Sequence, residues 1–267
     1  RFKCLYRRSR CIPTLLTSSG RHDGWLGSGA TWWWPCVIEL VYVASEYIRR
    51  VGDYSGYRRP DFRFKNLEAE DTKVDGPTMT EVYYRLCAHL ARPPTQGEFV
   101  KAYEQANEGW FKSNRPSLVE GMRVRVSRAW PSFLMEHHLF SLFVESGMVD
   151  AAYKNAADDL NSGIDIKLRF GREFCYVASF TDTKDGWAKA FRKLRRGRDV
   201  PAPCLYLPLN FKGTPPPIKC NGFHLYSPEH VKAALLAFRE MKARGYDYAT
   251  WLCGTLVEGL RRPSIVA

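Results

Sequence analysis

Metal-finger spacing is missing from this chain. Its eight cysteines, Cys4, Cys11, Cys36, Cys87, Cys175, Cys204, Cys220 and Cys253, form no CxxC pair, which excludes a zinc ribbon or classical finger. Several sit inside apolar runs, where a thiol acts as a small hydrophobe. They read as reduced and structural, which suits a cytoplasmic, intracellular protein. Long hydrophobic runs are missing too. The best stretch, Cys36 to Ile48, is short and holds Glu39 and Glu46, so no membrane is expected as a partner. There is no GxGxxG after a strand, no Walker loop and no nucleophile elbow, which removes the signatures of dinucleotide binding, P-loop hydrolysis and serine hydrolysis. Only six histidines occur, and His137 and His138 are neighbours that cannot share a helix face as a metal pair. His89, His224 and His230 read as structural.

Acidic residues are the scarcer charged class. Lysine and arginine number 40 against 28 acids, a formal charge of +12 over 267 residues. That balance favours a polyanionic partner, nucleic acid first, with DNA ahead of RNA and a homodimer compatible with either. Residues 1–35 read as a disordered leader; Arg1 to Arg21 carries no acid, a composition shared with transit peptides.

From 36 to 129 the pattern is helical. Val37 to Arg50 and Thr80 to Ala91 repeat at helical period, and Thr95-Gln96-Gly97-Glu98 is a capping box for a helix to about Asn107. Val51 to Asp75 reads as a linker. Ser117-Leu118-Val119-Glu120 is a second capping box, for a helix to about Ala129. There Leu118, Met122 and Val126 would face the core, leaving Arg123, Arg125 and Arg128 for DNA. Short helices with short breaks suggest a helix-turn-helix-like domain. Trp130-Pro131-Ser132 reads as a break, with a further helix from Phe133 to Glu145.

Beyond 130 the character becomes α/β. Ile164 to Phe170 alternates apolar and polar, as a half-buried strand does, and carries Asp165, Lys167 and Arg169 on one face. Gly171-Arg172-Glu173 reads as a three-residue hairpin connection, and Phe174 to Phe180 as a strand buried on both faces. A basic helix follows, with Lys184, Lys189, Arg192, Lys193, Arg195 and Arg196; seven basic residues fall between 184 and 198 against one acid. Lys189, Arg192, Lys193 and Arg196 share a helix face suited to a phosphate backbone. Strands follow at Cys204 to Leu209 and Gly222 to Tyr226. Ser227-Pro228-Glu229 then opens a last helix.

This order of elements from about Trp130 to Ala243 resembles the PD-(D/E)XK nuclease superfamily, the restriction-endonuclease-like fold. The resemblance implies a mixed sheet flanked by helices over 130–267, behind the helical domain of 36–129. By position Asp165 matches the first-strand aspartate and Glu136 the helix glutamate. The implied activity is Mg²⁺-dependent endonuclease cleavage of DNA, with Asp165 and Glu136 on the metal. The second-strand dyad is absent: Val177-Ala178-Ser179 holds neither acid nor lysine. Lys167, read as opposite Val177, would supply the missing charge as a migrated lysine, with Asp165 opposite Ser179. Alternatively Asp165-Ile166-Lys167 is itself the dyad, and Asp158 or Asp159 the first aspartate. A catalytically inactive nuclease-fold DNA-binding regulator or complex subunit is the other reading of the same residues.

Overall fold

One helix of 30 residues, Pro116–Glu145, runs without interruption through Pro131. The chain was expected to break there. A proline inside a helix lacks the N–H that should bond the carbonyl four residues back, here that of Ser127. The side-chain amide of Gln96 fills that place, donating to the Ser127 carbonyl at 3.1 Å. Beside it the indole N–H of Trp130 donates to the Pro94 carbonyl at 2.9 Å. The change of character near 130 therefore falls in the middle of a helix. The expected second capping box is also absent: Arg115 is the N-cap and Pro116 starts the helix.

The structure, a computed structural model, describes residues 66–154, 163–195, 204–220, 223–243 and 250–252. All of them belong to one compact unit, residues 34–267. The leader read at 1–35 and the helix read at Val37 to Arg50 lie outside the described residues. The elements are α1 (Leu67–Asp71), α2 (Met79–Leu90), α3 (Gln96–Ala106), α4 (Glu108–Ser113), α5 (Pro116–Glu145), β1 (Ala151–Tyr153), β2 (Ile166–Phe170) and β3 (Glu173–Thr181). Then come α6 (Lys184–Arg195), β4 (Cys204–Leu209), β5 (Ile218–Cys220), β6 (Phe223–Leu225), α7 (Pro228–Ala243) and β7 (Thr250–Leu252). Capping boxes open α2 at Thr78 and Glu81 and α3 at Thr95 and Glu98, each satisfying two helix-end donors.

The main sheet has the order β1-β2-β3-β4-β7. β1, β2 and β3 are antiparallel neighbours, while β3–β4 and β4–β7 are parallel. The chain reaches β4 from β3 through α6, as parallel pairing requires a crossover. One face of the sheet, with Ile166, Leu168, Cys175, Val177, Leu205, Leu207 and Leu209, packs against Leu139 and Phe143 of α5 and Val231, Leu235 and Phe238 of α7. In a smaller cluster Ala178, Cys204 and Tyr206 meet Ala190 of α6. A further core joins α2, α3 and the middle of α5 through Tyr83, Cys87, Phe99, Met122, Val126 and Trp130, and includes Leu225 of β6. Leu118, Met122 and Val126 face inward as expected.

The β2–β3 connection is shorter than the sequence suggested. Phe170 pairs with Glu173, so only Gly171 and Arg172 form the turn, and Gly171 takes the positive φ of 60° that such a turn demands of a residue without Cβ. A one-residue change of register alters which side chains are opposed. Lys167 lies opposite Tyr176, not Val177.

Candidate functional site

The helix glutamate and the strand aspartate both lie within electrostatic reach of Tyr226. Glu136 projects from α5 one turn before Leu139 and Phe140, which cover the sheet. Asp165 sits immediately before β2, only 3 % exposed, with its backbone N–H on the Val177 carbonyl at 2.9 Å. Its carboxylate oxygen Oδ2 accepts from the Ser179 hydroxyl at 2.7 Å and from the Ser179 backbone N–H. The residue standing in the dyad segment therefore donates to the aspartate. Both carboxylates act on Tyr226. Burial first, then the charges of Asp165 and Glu136, push that phenol well above its ordinary value, so it stays a neutral donor to the Leu207 carbonyl at 3.0 Å. Tyr206 is raised as well, by burial, Cys204 and Asp165.

A residue that no sequence motif flagged completes the group. Lys154 follows β1 and its side chain is only 5 % exposed. Its ammonium lies 3.1 Å from Glu136 Oε2 and 5.3 Å from the centre of the Tyr84 ring. Nearby, Cys87 is pushed up to about 12 by burial, against the opposing pull of Tyr83, Lys154 and Arg92. His137 is held down at about 3 by burial, then by the charge of Lys154 and by His138, and His138 at about 3 by burial. Both histidines are therefore neutral at ordinary pH. No sequence pattern singles out Lys154, because β1 is a three-residue strand with no alternation to announce it.

Lys167 is not in this group. Its ammonium lies 4.1 Å from the Phe174 ring centre and 5.7 Å from that of Tyr176. Phe174 pairs with Arg169, four residues up the strand from Asp165, about 13 Å at the usual rise of a strand. The alternative first aspartates, Asp158 and Asp159, lie outside the described residues.

Beside Glu136 opens a cleft of about 230 Å³. Ser132, Met135 and Glu136 of α5 form one wall; Ser179, Phe180 and Thr181 of β3 form the floor; Thr183, Asp185, Gly186 and Lys189 form the other wall. The α6 start is fixed by the Thr183 hydroxyl, which accepts from the Gly186 N–H at 3.0 Å. Trp187 locks the helix down by meeting Phe180 edge-on, 4.9 Å between ring centres. This leaves Lys184 and Lys189 exposed. Arg192, Lys193 and Arg195 are on the same helix, but their side chains, like the whole of Arg196, lie outside the described residues.

Of the arginines expected to face DNA, Arg125 and Arg128 are turned onto the protein, while Arg123 stays exposed in surface ion pairs. Arg125 donates to the Ala69 and Thr72 carbonyls, at 2.8 Å each, which closes the C-terminal end of α1. Arg128 pairs with Glu70, and Arg115 with Glu68. Arg123 pairs with Glu104 at 2.8 Å and Glu120 at 3.3 Å, which raises its guanidinium further. Gly121 permits this clamp, since a Cβ there would lie 2.5 Å from Asn66 Cβ. The segment read as a linker thus contains an acidic helix that binds Arg115, Arg125 and Arg128 at the start and middle of α5.

The nuclease resemblance implies Mg²⁺, and the donors present do not suit it. Mg²⁺ needs available oxygen ligands in octahedral array. Glu136 already carries an ammonium and Asp165 carries two donors from Ser179. Among the described residues, no three of His, Cys, Asp and Glu come together as a metal group. These residues do not fit a resident Mg²⁺.

Cys87, Cys175, Cys204 and Cys220 are thiols rather than halves of disulfides. Among the described residues no helix is long and apolar enough to cross a membrane. Compared with protein-family models, curated proteins and solved structures, the chain matches none.

Proposed function

We propose that this chain binds nucleic acid, DNA ahead of RNA, on a restriction-endonuclease-like scaffold whose site is not set up for cleavage. The helix–three-strand–helix–strand order of α5, β1–β3, α6 and β4 supports the scaffold reading. The observation that carries binding is the placement of α6. Its apolar side, Trp187 and Ala190, is held on the sheet, so Lys184 and Lys189 stand outward, with Lys189 also on the rim of the polar cleft. A duplex lying along α6 would pass its phosphates over these lysines. The helical layer α1–α5 enters as scaffold. Its arginines are engaged by Glu68, Glu70, Glu104 and Glu120, so the sequence-reading part of a helix-turn-helix is not assigned to it.

The test is the salt dependence of binding to duplex DNA and to single-stranded RNA. The charge-reversed variant Lys184→Glu with Lys189→Glu should bind more weakly at every sequence. Its slope of log K against log salt should be shallower by about 0.9 for each lysine–phosphate pairing removed. An unchanged slope would place the binding surface elsewhere.

A second reading, Mg²⁺-dependent endonuclease activity, is favoured by one observation: Glu136 and Asp165 act on the same buried Tyr226 beside the cleft. Incubation of plasmid and single-stranded DNA with Mg²⁺ or Mn²⁺ separates the two. Cleavage lost in Asp165→Asn would support this second reading.

A further inference from the structure

We propose that the sheet face carrying Tyr153, Lys167, Arg169, Phe174 and Tyr176 is a second nucleic-acid surface, one that takes a single strand by stacking bases on its rings. The strand register sets these residues on one side. Tyr153 is opposite Lys167, Lys167 is opposite Tyr176, and Arg169 is opposite Phe174. Directly opposed side chains share a face and lie about 5 Å apart at Cβ. The alternate residues Ile166, Leu168, Cys175 and Val177 line the other face, under α5 and α7. On the first face α6 packs on Ala178, Cys204 and Tyr206, with Tyr176 at its border, while Phe174 is 37 % exposed.

The chemistry of this face selects its ligand. Its five side chains are three rings and two cations, with no acid among them. Among the described residues neither cation is in an ion pair, in contrast to Lys154 with Glu136. The Lys167 ammonium is held among the rings, 4.1 Å from the centre of Phe174 and 5.7 Å from that of Tyr176. Arg169 has a shielded Nε with no acceptor. A complementary ligand is therefore an anion that also offers flat faces. Single-stranded nucleic acid does so at every residue, with phosphates for the cations and free bases for the rings. A duplex keeps the faces of its bases stacked inside, and an acidic peptide brings charge without rings. The proposal rests on nucleic acid as the partner but not on α6: Phe174 lies six residues before Phe180 on β3, about 20 Å at the usual strand rise.

The experiment uses the full chain and fluorescence anisotropy. The probes are an oligothymidylate of about 12 nucleotides, within the usual span of a single-strand site, an abasic oligomer of the same length, a duplex and polyglutamate. Phe174→Ala, at an exposed position, should weaken oligothymidylate binding about tenfold, the scale of one lost base–ring stack. Phe174→Trp should keep the affinity, and Phe174→Leu should lose it. The abasic oligomer and the duplex should not distinguish Phe174→Ala from wild type. Lys167→Gln, which keeps every ring, should make the oligothymidylate salt slope shallower by about 0.7. Phe174→Ala should cause the same loss in the Lys184→Glu, Lys189→Glu background, so failure of the α6 reading shows in duplex binding alone. Absence of oligothymidylate binding by wild type, or unchanged affinity in Phe174→Ala, overturns the proposal. An equal loss on the abasic oligomer overturns it too, as does polyglutamate binding that depends on Phe174 to the same extent.

Discussion

Gln96 should be energetically coupled to Pro131, far along the chain. The proline removes the N–H that would bond the Ser127 carbonyl, and the Gln96 amide donates there at 3.1 Å. A net protein hydrogen bond contributes about 1 kcal/mol. Ser127 is half-buried, so water replaces part of the loss. Gln96→Ala should therefore destabilise by about 0.5–1 kcal/mol in the wild-type background. Pro131→Ala restores the backbone donor and fills the same acceptor. In that background Gln96→Ala should cost no more than a few tenths of a kcal/mol. The readout is a double-mutant cycle in urea, with four proteins and m-values checked for equality. The cycle cancels whatever else the Gln96 side chain touches. A coupling energy indistinguishable from zero would refute the claim that Gln96 carries the helix through the proline, and with it the account of why α5 is continuous.

Other predictions bear on the clamp, the aspartate and acid stability. Arg125→Ala should lower stability by about 2 kcal/mol, since it leaves two carbonyls of the α1 end without a charged donor, yet leave the salt slope of DNA binding unchanged; a shallower slope would return Arg125 to the DNA surface. Asp165→Ala should destabilise more than Ser179→Ala, by about 2 kcal/mol against about 1, because it orphans two donors where Ser179→Ala removes only one; the reverse order in chemical denaturation would contradict the role given to Ser179. For acid stability the sign follows from burial. His230 is held down at about 4, and His137 and His138 at about 3, all mainly by burial, whereas the unfolded chain takes up these protons near 6.5. The three histidines therefore contribute full stability above about pH 6.5 and progressively less as pH falls toward 4 and 3. His230 must stay neutral because its Nδ1 accepts the Ser227 N–H at 3.0 Å. His230→Gln should flatten the acid limb of a midpoint-against-pH curve, and an unchanged limb would contradict this.

Much of the α/β layer was legible in the sequence, and the reasons are local. β2 announces itself by alternation, β4 by an apolar run ending at Leu209, α7 by Ser227-Pro228-Glu229, and α3 by its Thr95–Glu98 box. The features that were not legible depend on partners far along the chain. Pro131 reads as a breaker until Gln96 is placed beside Ser127. Arg125 and Arg128 of α5 read as outward-facing until α1, a short acidic helix with no apolar period, is found folded onto them. Lys154 is a single lysine after Ala-Ala-Tyr, and only the pairing of β1 with β2 brings it to Glu136. The partner read for Lys167 differs on turn length alone: a two-residue turn in place of three moves it opposite Tyr176. Glu136 and Asp165 came from the order of elements, and both lie within electrostatic reach of Tyr226.

Nucleic acid lying along α6 and the cleft beside it would shield their backbone amides from solvent. Backbone hydrogen exchange of the full chain, with and without a duplex of about 20 base pairs in EDTA, tests this most directly. Slowed exchange is expected from Ser179 to Ala190, across the end of β3 and the start of α6, with Met122 to Ala129 of α5 unaffected. Protection confined to α5, or protection of α6 that appears only when Mg²⁺ is added, would contradict it.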